Sequence, residues 1–172
     1  MLSLSDRSWQ CVLLQEAGDA IQNGQRIEGH LIITAKAHWR QTAIIIHKDM
    51  EPFLVRTFTN TAFASATFKL PTEGGHRMHS ITSVYLPQQG RGVDMYMDVL
   101  ADLRVHLSRL EGQISIGLDA NVQICKSQLD DDTSPWLVGR CVSTSARPTL
   151  RSAALAQLLQ DLGLVASNTF NN

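Results

Sequence analysis

The sequence predicts an α+β (α/β) fold in which β-sheets with a mixed ladder are covered by helices. Three observations predict it. Six short apolar runs rich in β-branched residues fill the first half of the chain, two stretches with helical periodicity follow, and one more strand-like run lies between those two. At 172 residues, with 44% hydrophobic and 18% charged residues, the chain is long enough for one domain with a core of its own, and its composition is globular.

"QCVLLQ" (10–15), "HLIIT" (30–34), "TAIIIH" (42–47), "FLVRTF" (53–58), "ASATFKL" (64–70) and "SITSVYL" (80–86) are too short for helices and are bounded by Gly, Pro, Asn or charged residues, as strands are. "TAIIIH" is continuously apolar, which predicts a strand covered on both faces. "FASATFKL" alternates small or polar with apolar residues, which predicts a strand with one wet face. From Val93 to Leu110, residues Tyr96, Val99, Leu100, Leu103, Leu107 and Leu110 recur at helical spacing and form one stripe. A second helix is expected over about 150–162, with Thr149 as N-cap, Gly163 just past its end, and Leu155, Leu158, Leu159 and Leu162 on its buried side. The strand "SIGLD" lies between the helices. No repeat, low-complexity tract or long linker divides the chain, so a single domain spanning 1–172 is expected.

Composition narrows the function. A net charge of −1 gives no overall electrostatic signature for nucleic acid, although a basic face can exist within a balanced total. Cys11, Cys125 and Cys141 are odd in number and lack CxxC spacing, so they read as reduced structural thiols. Asp6 and Arg7 interrupt the start before any signal-like apolar region, and the longest aliphatic run is far short of a membrane span. The expected setting is intracellular, nuclear or cytoplasmic, with no membrane partner.

Three strands end in polar residues that can hold a metal or a phosphate. "VLLQE" ends at Glu16, "SVYLP" presents Tyr85, and "IGLDAN" presents Asp119 and Asn121. Asp and Asn after a strand are also ordinary turn formers, and Tyr85 by itself is an ordinary strand aromatic. Together the four suit phosphodiester hydrolysis. A hard cation such as Mg²⁺ takes carboxylate oxygens and keeps some waters, a second carboxylate can orient or deprotonate a water, and a carboxamide and a phenol can donate to phosphate without repelling it. "DDDT" (130–133) lacks the spacing of a calcium loop and reads as solvated.

The ordered set "LLQE", "SVYLPQQGRG" and "GLDAN", with an amphipathic helix between the second and third, resembles the endonuclease/exonuclease/phosphatase superfamily, closest to apurinic-type and retrotransposon-encoded endonuclease domains. The resemblance spans roughly residues 9 to 170. It implies a four-layer sandwich of two mixed β-sheets flanked by helices, and Mg²⁺ (or Mn²⁺) as cofactor. By the same resemblance Glu16 is a metal ligand, Tyr85 contacts the scissile phosphate, Asp119 activates water and Asn121 binds phosphate. Gln88 stands where many relatives carry Asn or His. It and Arg91, flanked by Gly90 and Gly92, are expected to contact phosphate or nucleic acid. The family's opening W-N-x-x-G pattern and closing S-D-H segment are not in this sequence, so the implied domain is partial, truncated at both ends. The expected activity is Mg²⁺-dependent cleavage of DNA of the retroelement type. The alternatives are a non-catalytic remnant that binds nucleic acid or protein, and a phosphatase acting on a lipid or small phosphoester.

Overall fold

Among the described residues the apolar runs assemble into two four-stranded sheets. The structure, a computed structural model, describes residues 9–18, 21–36, 41–124 and 147–166. It divides into two units, one comprising Met1–Tyr85 and Leu110–Asp119, the other Leu86–Arg109 and Ala120–Asn172.

Both sheets belong to the first unit. Strands β1 (Cys11–Leu14), β2 (Arg26–Ile27), β3 (His30–Lys36) and β4 (Gln41–Ile46) form the first sheet in the order β1-β4-β3-β2, antiparallel throughout. Strands β5 (Leu54–Thr59), β6 (Phe63–Thr72), β7 (Gly75–Tyr85) and β8 (Gln113–Asp119) form the second in the order β5-β6-β7-β8. Here β5, β6 and β7 are antiparallel neighbours and β8 joins β7 in parallel, so the expected mixed ladder is in this sheet. The two-residue β2 is too short to leave a period in the sequence.

Strand alternation sends each residue set to a face. Ile33, Ala35, Ile44 and Ile46 of the first sheet pack with Ala64, Ala66, Phe68 and Ile81 of the second in one buried cluster. The intervening Ile32, Ala43 and Ile45 point the other way and are covered by Trp9, Val12, Leu14, Ala17 and Ile21. All six residues of β4 are therefore buried, which is why its sequence shows no alternation. Each isoleucine so enclosed contributes about 1.5–3 kcal/mol relative to exposure.

The polar face of β6 is not wet, contrary to its alternating pattern. Ser65 is 2% exposed and Thr67 5%. Their hydroxyls meet Thr82 and Ser80, their register partners on β7, at 3.1 and 2.9 Å. A small hydroxyl with a partner is cheap to bury, so Ser and Thr need not mark a solvent face.

Among the described residues the second unit holds two helices, α1 (Val93–Leu107) and α2 (Leu150–Asp161). The α1 stripe of Tyr96, Val99, Leu100, Leu103 and Leu107 is buried, and the helix stops before Leu110. Thr149 caps α2 in a reciprocal capping box with Ser152, and Gly163, at φ 60°, follows its end in the left-handed region. The helices touch, and Arg104 of α1 pairs with Asp161 of α2 at 2.6 Å. No helix among the described residues is long and apolar enough to cross a membrane.

Candidate active site

Parallel pairing of β7 with β8 ends at Tyr85 opposite Asp119, so these two candidate residues sit side by side at the ends of adjacent strands. Glu16 lies just past β1, in the other sheet of the same unit. The Tyr85 hydroxyl donates to Glu16 Oε1 at 2.8 Å. Three strand ends thus bring Glu16, Tyr85 and Asp119 to one end of the two-sheet sandwich. Tyr85 is buried, Asp119 half-buried and Glu16 exposed, so a phenol anchored in protein supports a carboxylate that water can reach. That phenol has a single proton, and Glu16 receives it. A phosphate contact from Tyr85 would compete with Glu16 for that proton.

Two of the candidate residues also have left-handed backbone, as does Glu28, which is not a candidate. Among the described residues three non-glycine positions have positive φ, and two of them are Glu16 at 58° and Asn121 at 49°. Asn tolerates the left-handed region because its short polar side chain bonds locally; Glu does so at a cost of about 1–2 kcal/mol.

A polar cluster one step behind the strand ends holds them in place. Gln15 Nε2 donates to Gly117 O at 3.1 Å and to Ser83 Oγ at 3.2 Å, joining β1 to β8 and β7. Leu14 O lies 2.7 Å from Thr42 Oγ1 and 3.0 Å from Ser83 Oγ, and the two hydroxyls are 2.6 Å apart. Two hydroxyls carry two protons, so only two of these three contacts are hydrogen bonds at any instant. Gly117 lets the sheets approach: a Cβ there would lie 2.8 Å from Leu13 Cδ1 and 3.0 Å from Leu13 Cβ. Gln15, Ser83 and Gly117 directly precede, or stand two residues before, the candidate residues Glu16, Tyr85 and Asp119. Sequence reasoning missed them as supports. The available signal was the small residue two positions before each of Tyr85 and Asp119.

Gln88, Arg91 and Asn121 belong to the second unit. Gln88 and Arg91 are exposed on the loop after Pro87, which makes a 3-10 turn over Gln89–Arg91, with the Arg91 N–H bonded to Gln88 O at 3.0 Å. Asn121 is half-buried, and its Nδ2 donates to Leu86 O at 2.8 Å, fixing the backbone two residues before Gln88.

Other described reactive groups lie apart from these strand ends. Burial pushes the Cys11 thiol up to about 11, so at neutral pH it stays protonated and inert, as expected of a structural thiol. Cys125, Cys141 and the Asp130–Thr133 run lie outside the described residues. His30 and His47 meet Trp9 and each other in tilted and edge-on contacts, with ring centroids 4.8–5.1 Å apart, beside the Cys11 end of β1. Among the described residues no group of three or more His, Cys, Asp and Glu side chains gathers around a common point.

No protein-family model matches the chain, and no curated protein matches it.

Proposed function

We propose that this chain is a metal-dependent phosphodiesterase domain of the endonuclease/exonuclease/phosphatase type that cleaves DNA, of the kind encoded by retroelements, and works inside the cell in the nucleus or cytoplasm. The observation that carries the reading is the meeting of Glu16, Tyr85 and Asp119 at adjoining strand ends, with Tyr85 bonded to Glu16.

The donor set fits a hard cation. Glu16 offers an exposed carboxylate with room for the waters that Mg²⁺ or Mn²⁺ retains, and one or two carboxylates suffice for such an ion. A bound cation would stabilise charge on phosphate oxygens. In this proposal Asp119 orients a water and takes its proton as the water oxygen attacks phosphorus and the phosphodiester P–O bond breaks toward the leaving oxygen. Tyr85 gives its single proton to the Glu16 carboxylate when no substrate is bound and to a phosphate oxygen when one is. Asn121 Nδ2, Gln88 and the Arg91 guanidinium serve as donors to phosphate oxygens, a geometry that guanidinium suits especially.

The test is nicking of supercoiled plasmid by the 172-residue chain in Mg²⁺ and in EDTA. EDTA-sensitive nicking is expected, with Asp119→Asn and Glu16→Gln each lowering the rate by about 10²–10⁴-fold. Calorimetry should show weaker Mg²⁺ binding to Glu16→Gln. Absence of EDTA-sensitive nicking would overturn catalysis by this chain and favour a remnant that only binds nucleic acid or protein.

A further inference from the structure

Arg151 occupies the first turn of α2 and is 7% exposed, a buried cation at the helix end where a positive charge is least welcome. Among the described residues its partners are not carboxylates. Its Nη1 donates to Pro87 O at 3.0 Å, and its Nη2 donates to Gly92 O at 2.6 Å and Gln89 O at 3.3 Å. The guanidinium carbon also lies 4.9 Å from the centre of the Tyr96 ring. All three carbonyls belong to the one loop that carries Gln88 and Arg91.

Besides these bonds, the loop closes on itself through the Arg91 N–H and Gln88 O at 3.0 Å. Its side chains from Gln88 to Gly92 are exposed, Gly90 and Gly92 have open space around them, and no side chain caps α1 at Gly92. In a trans peptide the C=O and the following N–H point in opposite directions. Turning the Pro87 and Gln89 carbonyls toward Arg151 therefore turns the Gln88 and Gly90 N–H groups away from it, the Gln88 group on the very residue whose side chain is assigned to phosphate. A buried charge is poor evidence of stabilisation, because an apolar side chain of equal volume commonly serves as well; its fixed donor geometry is what an apolar residue cannot supply.

We infer that Arg151 is the positioning residue of the phosphate-contacting loop, holding Gln88 and Arg91 in the conformation in which they meet the DNA backbone. The inference rests on the phosphate role proposed for that loop. It acts through three main-chain carbonyls, so it constrains conformation without touching substrate.

The experiment is anisotropy of a fluorescein-labelled DNA duplex titrated with the full chain in EDTA over a range of NaCl concentrations, with a thermal melt of every variant. Arg151→Met is expected to weaken binding about tenfold and to lower the salt slope by about one, as Arg91→Ala does. The Arg91→Ala/Arg151→Met double variant is expected to bind no more than about threefold weaker than Arg91→Ala alone, because both changes remove the same contact. Additive losses, or wild-type binding by Arg151→Met, would overturn the inference. Should Arg151→Met fail to melt cooperatively, Arg151→Lys decides: it keeps the charge but not the planar fork, and is expected to bind about threefold weaker. Wild-type binding by Arg151→Lys would overturn the inference. If Arg91→Ala and Gln88→Ala both bind as wild type, the phosphate reading of the loop is itself wrong, and that pattern is distinct from a failure confined to Arg151.

Discussion

The interior of the two-sheet sandwich has a dry middle and a polar end. In the middle, Ile33, Ile44, Ile46, Ala66, Phe68 and Ile81 meet with no hydrogen-bonding side chain among them. At the end that carries Glu16, Tyr85 and Asp119, the sheets are joined by Gln15, Thr42 and Ser83, converging on Leu14 O and Gly117 O. Apolar packing is non-directional and tolerates small sliding motions, whereas a carboxamide bonded to a specific carbonyl does not. The difference teaches a division of labour. The middle contributes stability, and the polar end fixes the positions of three candidate residues relative to one another.

That contrast can be broken from either side. Phe68→Ala empties the dry middle and should cost about 3–5 kcal/mol in a urea melt. The variants that remain folded should keep their nicking rate per folded molecule. Gly117→Ala attacks the polar end by pushing on Leu13 and on Gln15 Nε2, which would lie 3.2 Å from the new Cβ. It should cost less stability, about 1–3 kcal/mol. Its nicking rate per folded molecule should nevertheless fall, because Gln15 loses its place between β7 and β8.

Thr42→Val and Ser83→Ala each leave Leu14 O with one hydroxyl donor and should cost about 1–2 kcal/mol. Because both hydroxyls serve the same carbonyl, the double variant should depart from the sum of the singles in the same melts.

The smallest effect concerns His79, whose ring bonds Ser115 Oγ at 3.0 Å across β7 and β8. Burial first, and the Arg77 charge second, hold its imidazole below the ordinary 6.5. As pH falls through 6.5 the unfolded chain takes up this proton first. This contribution is therefore complete above pH 6.5, declines on acidification, and levels off once the folded imidazole also protonates. His79→Gln should flatten that part of the stability profile measured by denaturant melts between pH 7.5 and 5.

Much of the fold was legible because burial on one or two faces writes itself into sequence period. The stripe of α1 and the apolar run Ala43–Ile46 of β4 were readable for that reason, and the Thr149 cap was readable from its residue type. What escaped had no period to leave. The pair Arg26 and Ile27 is too short to show one, and the buried Ser65 and Thr67 have the same alternation as a solvent-facing strand. The site was legible in part. Glu16, Tyr85 and Asp119 could be picked as candidates because each is a polar group at the end of an apolar run, and the structure brings these three together. Gln15 and Arg151 were not, since what identifies them is the carbonyl each one reaches, 102 residues away for Gln15 and 59 to 64 for Arg151.

Glu16 and its positive φ carry a last consequence, for directed evolution. At 58° the backbone would accept Gly or Asn more readily than Glu. A library screened for heat resistance alone should therefore enrich Gly or Asn at position 16, discarding the carboxylate that receives the Tyr85 proton. A library screened for nicking should retain Glu there, and the thermostable winners of the first screen should be poor starting points for the second.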